Sequence, residues 1–273
     1  MSATLAEELR ETIAAAAAVV AVGAGTHAGI GGPVVGAVEV HAPPGIVDVA
    51  PSDMTVTVRA GTTFAELDAA LAAHGQECPL DPDDSAATIG GTIAAGLSGP
   101  RRLGLGPLRD YLLEVRFVTA DGREIRGGGP TVKNVTGYDI PRLFVGSLGT
   151  LGVITQVILR SRPRPRASQW FRASSTASEA RSTLFAPTAI VVGPADVSVL
   201  LEGDPGDLRS EAAVAGLVPS DPLPSLIGAH RGRISIDPAL VDTLTLELDA
   251  IDGLHRLAEY GVGTVHVASD TPE

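Results

Sequence analysis

Residues 81–96 read Asp81-Pro-Asp-Asp-Ser-Ala-Ala-Thr-Ile-Gly-Gly-Thr-Ile-Ala-Ala-Gly, and two more glycine-rich runs follow. They are Ser98-Gly-Pro-Arg-Arg-Leu-Gly and Val145-Gly-Ser-Leu-Gly-Thr-Leu-Gly-Val-Ile-Thr. Glycine at this density is not core filler, because it buries no side chain and loses the most backbone entropy on folding. It permits positive φ and close approach to the main chain, and a large phosphate-bearing ligand uses both. Ile89, Ile93 and Leu97 lie four apart, which predicts a short helix starting near Gly90. Its N-terminus would offer unpaired N–H groups, with Thr88 placed to cap it or to touch a phosphate. The alternative is a glycine-rich buried helix start without a ligand.

Toward the N-terminus, Leu5 to Ala17 has Leu5, Leu9 and Ile13 on one helical face, and Val19 to Val22 reads as a strand. Gly23-Ala-Gly-Thr-His-Ala-Gly-Ile-Gly-Gly-Pro follows. Gly23, Gly25 and Ala28 match the dinucleotide fingerprint, but that fingerprint needs a helix next, and Gly29, Gly31, Gly32, Pro33 and Gly36 prevent one. A loop whose N–H groups cradle an anion fits better, with a plain tight turn as the alternative. Each charge-assisted hydrogen bond contributes about 1.5–3 kcal/mol, so several could hold a pyrophosphate.

Between these segments, Ile46–Val49 and Met54–Ala60 read as strands. Thr63 and Glu66 have capping-box spacing for a helix with Phe64, Leu67 and Leu71 on its apolar stripe and Gly75 at its C-cap. Alternating strands and helices give an α/β organisation. Leu112 to Thr119 is a strand, Asp121-Gly122 a hairpin turn, and Arg123 to Arg126 the return, with Gly127 to Gly129 breaking the sheet. Asp139 caps a short helix packed down by Leu143 and Phe144, and Leu151 to Leu159 is a buried strand. Glu202 to Ser220 reads as a loop, Leu240 to Leu248 as a strand, Leu254 to Tyr260 as a helix carrying His255, and Thr264 to Ala268 as a buried strand.

The bulk properties limit the function classes. A 273-residue chain, 44% hydrophobic and 19% charged, suits one large domain or two unequal ones with a substantial core. The net charge of -12, with 3% aromatics, excludes nucleic acid and disfavours an anionic membrane surface. The longest apolar run, Ile13 to Gly25, is too short for a transmembrane segment, and acidic residues precede it. The single cysteine, Cys78, allows no disulfide within the chain and cannot hold an iron–sulfur cluster by itself. No metal-ligand set or nucleophile–base pair stands out.

Taken in order, five segments resemble a known family. They are the loop at Gly23, Ala-Ala-Thr-Ile-Gly-Gly, Gly-Pro-Arg-Arg, Val-Lys-Asn-Val-Thr-Gly-Tyr-Asp and Gly-Ser-Leu-Gly-Thr-Leu-Gly-Val-Ile-Thr. The chain resembles the FAD-linked oxidases of the vanillyl-alcohol oxidase and p-cresol methylhydroxylase (PCMH) type. Within them it is most similar to the FAD-binding E subunit of glycolate oxidase (glycolate dehydrogenase), strongly over residues 19–169 and faintly beyond. The resemblance implies an α/β (α+β) fold. A two-lobed PCMH-type FAD-binding domain would span 1–165 and a small, shortened α+β cap or substrate-like domain 166–273.

The resemblance also implies FAD as cofactor. Gly23, Ala24, Gly25, Thr26 and His27 would take the pyrophosphate, and Thr88, Gly90, Gly91 and Ala94 would line the flavin channel. Gly149, Gly152, Val153 and Ile154 would offer backbone to the ribityl and adenine end, and Pro82, Ala87, Gly99 and Arg102 complete the set. Some relatives attach FAD through a His directly after the second loop glycine. That position is Thr26 here, so non-covalent FAD is expected. The implied activity is FAD-dependent oxidation of a CH–OH group of glycolate or a similar 2-hydroxy acid. The implied partners are a second FAD-containing oxidase subunit and an iron–sulfur subunit. The implied location is cytoplasmic, or peripheral at the inner face of the membrane through those partners. Relatives continue into a further C-terminal segment, so independent catalysis is not expected. An electron-relay or assembly subunit, a stand-alone FAD-dependent enzyme with another substrate and a nicotinamide-binding protein remain as alternatives.

Residues outside these loops receive plainer readings. Arg160, Arg162, Arg164 and Arg166 beside Pro163 and Pro165 form a stiff solvated linker or a dock for an acidic group. Arg101 and Arg102 clamp a carboxylate, meet an FAD phosphate or form a surface salt bridge. His266 is a satisfied core histidine, and Cys78 a small buried hydrophobe. No catalytic base is assigned.

Overall fold

The computed structural model describes residues 3–30, 32, 34–130, 138–223, 226 and 228–271. The segment 131–137, which contains most of the Lys133–Asp139 motif, lies outside the described residues. The chain divides into two compact units, Met1–Gly99 with Pro107–Arg164, and Pro100–Gly106 with Pro165–Glu273. The division is not a single cut, since Pro100–Gly106 groups with the C-terminal residues.

The first unit begins with α1 (Ala3–Ala15), β1 (Val19–Ala21) and β2 (Val38–Val40), and β1 and β2 pair in parallel. Ile13 of α1, Val40, Val118 and Val153 form a small buried cluster there. The main sheet contains β3 (Ile46–Ala50), β4 (Thr55–Arg59), β6 (Leu112–Val118), β7 (Glu124–Gly128) and β8 (Val153–Arg160), in the order β3-β4-β8-β6-β7. Every pairing in it is antiparallel. Between its strands come α2 (Phe64–Ala72), β5 (Gln76–Glu77), α3 (Ile89–Ala95) and α5 (Ile140–Phe144), and β9 (Arg162–Pro163) pairs with β5. The expected α/β character is present in its α+β form, because of the described strands only β1 and β2 run in parallel.

Local sequence accounts for these elements. The Thr63 hydroxyl accepts from Glu66 N–H while the Glu66 carboxylate accepts from Thr63 N–H, the reciprocal pair that starts α2. Leu67 and Leu71 are fully buried under the sheet with Val58, Ile89, Ile93 and Leu159. Gly75 takes φ +66 two residues past the Ala73 cap rather than capping itself. Asp139 caps α5 through Arg142 N–H, and Phe144 anchors it 4.3 Å from the Phe117 ring. Burying a side chain of that size contributes about 1.5–3 kcal/mol. Leu143, expected to share that task, is exposed. Gly127 and Gly128 do not break the sheet; they end β7, paired with Val115 and Glu114. Glycine is needed at 128 because φ is +86 and a side chain would strike the Leu113 carbonyl.

The arginine run crosses the boundary between the two units after Arg164, as a linker would, but its side chains are engaged and not merely solvated. Arg160 ends β8 with its guanidinium 4.9 Å from the Tyr111 ring centre. Arg162 pairs with Glu77, Arg164 with Asp68 and Arg166 with Asp204.

The second unit contains α4 (Arg102–Leu105), β10 (Ala167–Ala173), α6 (Ala177–Thr183), β11 (Ala189–Val192), β12 (Val197–Gly203), α7 (Pro205–Val214), β13 (Val218–Pro219), β14 (His230–Ser235), α8 (Val241–Asp249), β15 (His255–Glu259) and β16 (Thr264–Ser269). Its antiparallel sheet has the order β13-β10-β12-β11-β15-β16-β14. Ala180, Leu208 and Val241, from α6, α7 and α8, join core clusters with Ile190, Val199, Ala258 and Val265 of the strands.

Three expectations are overturned in this unit. Residues 202–220 contain α7, which Asp204 caps by accepting from Gly206 N–H, with Pro205 in the first turn. Residues 240–248 are helical, because Val241, Leu244, Thr245 and Leu248 fall on one 3.6-residue face and three of them are buried. Residues 255–259 are a strand, so His255 lies on β15 and not on a helix.

Candidate functional site

Helix α3 is the wall on which three loops of the first unit meet. Thr88 caps it in an extended conformation, accepting from Gly91 N–H at 3.2 Å. Thr88 also bridges to Thr63, the residue that caps α2. The Glu66 carboxyl beside that bridge is held below the usual carboxylate range, first by the Thr63 N–H and then by its hydroxyl.

The N-terminus of α3 does not present free donors, contrary to the reading from sequence. Ile89 N–H donates to Thr62 O and Gly90 N–H to Ala60 O, each at 2.8 Å, and Gly91 N–H is taken by Thr88. The end of β4 has absorbed the groups a phosphate would need. Gly90 is small for the same reason, since a Cβ there would lie 2.8 Å from that of Ala60.

The free donors lie instead in the loop after β1. Val22 anchors it, with its N–H on Val40 O and its carbonyl 2.9 Å from His41 Nδ1. Gly23 rests directly on the Thr88 side chain. Beyond it, the N–H groups of Ala24, Gly25, Thr26 and His27 have no acceptor among the described residues. Gly25 takes φ +75 with open space around it. The described residues of 22–37 form no helix, as the glycines dictate. Four successive unpartnered N–H groups around a left-handed glycine suit an anion. His27 Nδ1 lies 2.9 Å from Thr26 Oγ1, so one ring nitrogen is already engaged.

The third loop docks on the other end of α3. Gly146 N–H donates to Ile93 O and Leu148 N–H to Ala94 O. Gly96, at φ +65, lets Gly146 Cα approach; a Cβ would sit 2.8 Å from it. Ser147 follows, and its buried hydroxyl has no hydrogen-bond partner among the described residues. Gly149 has φ +76 and open space beside it. Ser147 and His41 were not among the candidates from sequence. Only the glycines flanking Ser147 hinted at it.

Other candidates serve packing. Gly99 meets the Asp81 carbonyl and carboxylate, and Gly152 the Val118 carbonyl. Ala87, Val153 and Ile154 have buried side chains, so only their main chain could meet a ligand. Pro82 and Ala94 are half-buried, and Gly91 is exposed. Arg102 opens α4 in the second unit, where Arg101 binds Glu202 at 3.3 Å. Cys78 is buried, with its thiol 3.5 Å from the Arg160 carbonyl. No metal-holding group of His, Cys, Asp or Glu occurs among the described residues, and no helix found in them is long and apolar enough to cross a membrane.

Comparison with known proteins bears on this geometry. Residues 2–128 match the FAD binding domain family. The chain is 40% identical over 186 residues to glycolate oxidase subunit GlcE of Escherichia coli (strain K12), covering 67% of this chain and 53% of that protein. It is 46% identical over 107 residues to a D-lactate dehydrogenase of Archaeoglobus fulgidus, covering 39% and 24%. With glycolate oxidase subunit GlcD of Bacillus subtilis the identity is 38% over 125 residues, covering 45% and 27%. The chain thus spans about half the length of the first relative and about a quarter of the other two. Among solved structures, alkyldihydroxyacetonephosphate synthase superposes with a TM-score of 0.68 at 17% identity, covering 98% of this chain and 69% of that one. That likeness establishes the fold.

Proposed function

We propose that the chain, whose residues 2–128 match the FAD binding domain family, is the FAD-holding subunit of an oxidoreductase that converts glycolate or a similar 2-hydroxy acid to the 2-oxo acid. The observation that carries this reading is the row of unpartnered N–H groups from Ala24 to His27 beside the open, left-handed Gly25. The names of the relatives support the substrate class, since glycolate and lactate are both 2-hydroxy acids.

Bound FAD supplies a hydride acceptor for the CH–OH carbon. The chain's own part is binding and orientation. The donors of residues 24–27 hold the pyrophosphate, and Thr88 fixes the loop from below. Ser147 and the backbone at Gly149 and Gly152 serve the remainder of the cofactor, while Val153 and Ile154 contribute main chain only. Thr26 stands where covalent relatives place a His, and His27 is engaged by Thr26, so attachment is non-covalent.

The electrons must leave through other chains. The resemblance implies a second FAD-containing subunit and an iron–sulfur subunit as partners, which suits a chain whose single cysteine holds no iron–sulfur cluster alone. In that assembly, the first unit, most of the expected 1–165, acts as the FAD domain, and the second unit, the expected 166–273 with Pro100–Gly106 added, acts as the cap. The complex works in the cytoplasm, or at the inner face of the membrane through its partners.

The visible spectrum before and after acid precipitation tests this. Yellow colour released to the supernatant, then bleached by anaerobic glycolate once the partners are present, is the expected result. Colour retained in the pellet would overturn non-covalent binding. A colourless chain that takes up no added FAD would overturn the flavoprotein reading.

A further inference from the structure

A histidine outside the loop after β1 reaches into its base. His41 directly follows β2 and is exposed. Its Nδ1 lies 2.9 Å from the carbonyl oxygen of Val22, the last carbonyl before Gly23. No other side chain from outside 22–37 hydrogen-bonds to that loop among the described residues. A carbonyl oxygen only accepts, so the His41 proton sits on Nδ1 and is donated to Val22.

This bond fixes a peptide plane. The Val22–Gly23 peptide is trans and planar, so its C=O and its N–H point in opposite directions. Holding the carbonyl toward His41 therefore sets the direction of the Gly23 N–H. That N–H has no acceptor among the described residues, like those of Ala24 to His27 after it. The free row thus begins at Gly23, and its first member is aimed by His41. The Val22 N–H on Val40 O cannot do this, because it belongs to the preceding peptide. Packing against Thr88 fixes where Gly23 sits, and not which way its peptide faces. Glycine tolerates either orientation, so the side-chain bond decides it.

We infer that His41 is a positioning residue for the pyrophosphate of the cofactor, acting through Val22 to aim the Gly23 N–H. The inference rests on the proposed reading of this loop as the pyrophosphate seat and adds a residue to it. A donor row that is already oriented binds an anion without first ordering its backbone, which is the gain that preorganisation brings.

The test compares His41→Ala, His41→Gln and His41→Asn in the full chain. The asparagine amide nitrogen, like Nδ1, is attached to Cγ, so His41→Asn keeps a donor for Val22. The glutamine nitrogen lies one carbon farther out and is the control. Loss of one neutral hydrogen bond should weaken FAD binding about three- to tenfold in the alanine and glutamine variants, read by flavin fluorescence during titration. The asparagine variant should stay within about twofold of the parent. In the cofactor-free chain the amide NMR signal of Gly23 should move in His41→Ala and remain near its parent position in His41→Asn. Parent-like FAD affinity in His41→Ala, an asparagine variant as weak as the alanine one, or an unmoved Gly23 signal in His41→Ala would each refute the role. Inorganic pyrophosphate titrated into the same proteins separates this role from the flavin reading. A yellow parent whose affinity ignores His41 loses only the histidine. A parent that takes up no FAD loses the flavin, and the histidine then stands if pyrophosphate binding follows the same order of variants and falls if it does not.

Discussion

Gly23 and Thr88 touch so closely that a Cβ on the glycine would overlap the threonine hydroxyl. Sixty-five positions apart in sequence, they join the only loop of the first unit found with a row of free donors to the cap of α3, among the described residues. The glycine is therefore required by packing, and the loop's position depends on it.

Gly23→Ala should displace the loop, because the overlap is with a buried, capping side chain and not with a flexible tip. Overpacking of this kind costs about 1–3 kcal/mol. The expected result is a lower melting temperature together with at least a tenfold loss of FAD affinity, read by flavin fluorescence during titration. Unchanged affinity would mean that the loop does not hold the cofactor.

Thr88→Ala tests the cap itself. Loss of the Thr88–Gly91 bond should cost about 1 kcal/mol in urea unfolding, while Thr88→Ser, which keeps the hydroxyl, should recover most of it. Equal destabilisation by both variants would assign the effect to the lost methyl group and not to capping.

Much of this arrangement was legible in the sequence. Thr63-x-x-Glu66 announced its capping box, and the glycines after Gly25 ruled out a following helix. The failures have physical causes. At Ile89 and Gly90 the donors expected for a phosphate are taken by Thr62 and Ala60, a tertiary contact that local sequence does not encode. At 241–248 the residues fit a period of two and a period of 3.6 at once, and packing against Ala258 and Val265 selected the helix. The cap and proline at Asp204-Pro205 are the same residue types that mark a loop, and here they start α7. Glu259 and His266 are seven positions apart, yet only β15–β16 register makes them a pair.

Ser147→Ala should separate folding from binding. Removing a buried hydroxyl that has no partner leaves the free chain unchanged or stabilises it by about 1 kcal/mol, since an unmatched polar group is costly. If the hydroxyl serves FAD, the same variant should bind the cofactor about tenfold more weakly. Thermal melts with and without FAD provide both numbers, and equal FAD-induced shifts in parent and variant would remove Ser147 from the site.

The Asp249–Arg256 pair predicts how the second unit responds to acid. Arg256 is buried and grips Asp249 with two bonds, Nε to Oδ1 at 2.7 Å and Nη2 to Oδ2 at 2.5 Å. The Arg256 side-chain bonds hold the Asp249 carboxyl below the usual carboxylate range. The unfolded chain therefore takes up this proton first, so the stabilisation is complete above about pH 4 and is lost as pH falls through the lower folded value. Asp249→Asn should cost roughly 1–2 kcal/mol at neutral pH, less than breaking a fully buried pair because Asp249 itself is partly exposed. It should also flatten the acid limb of the stability curve. Urea unfolding of the full chain across the acid range checks both, and stability curves that run parallel for parent and variant would show that this pair does not set the acid response.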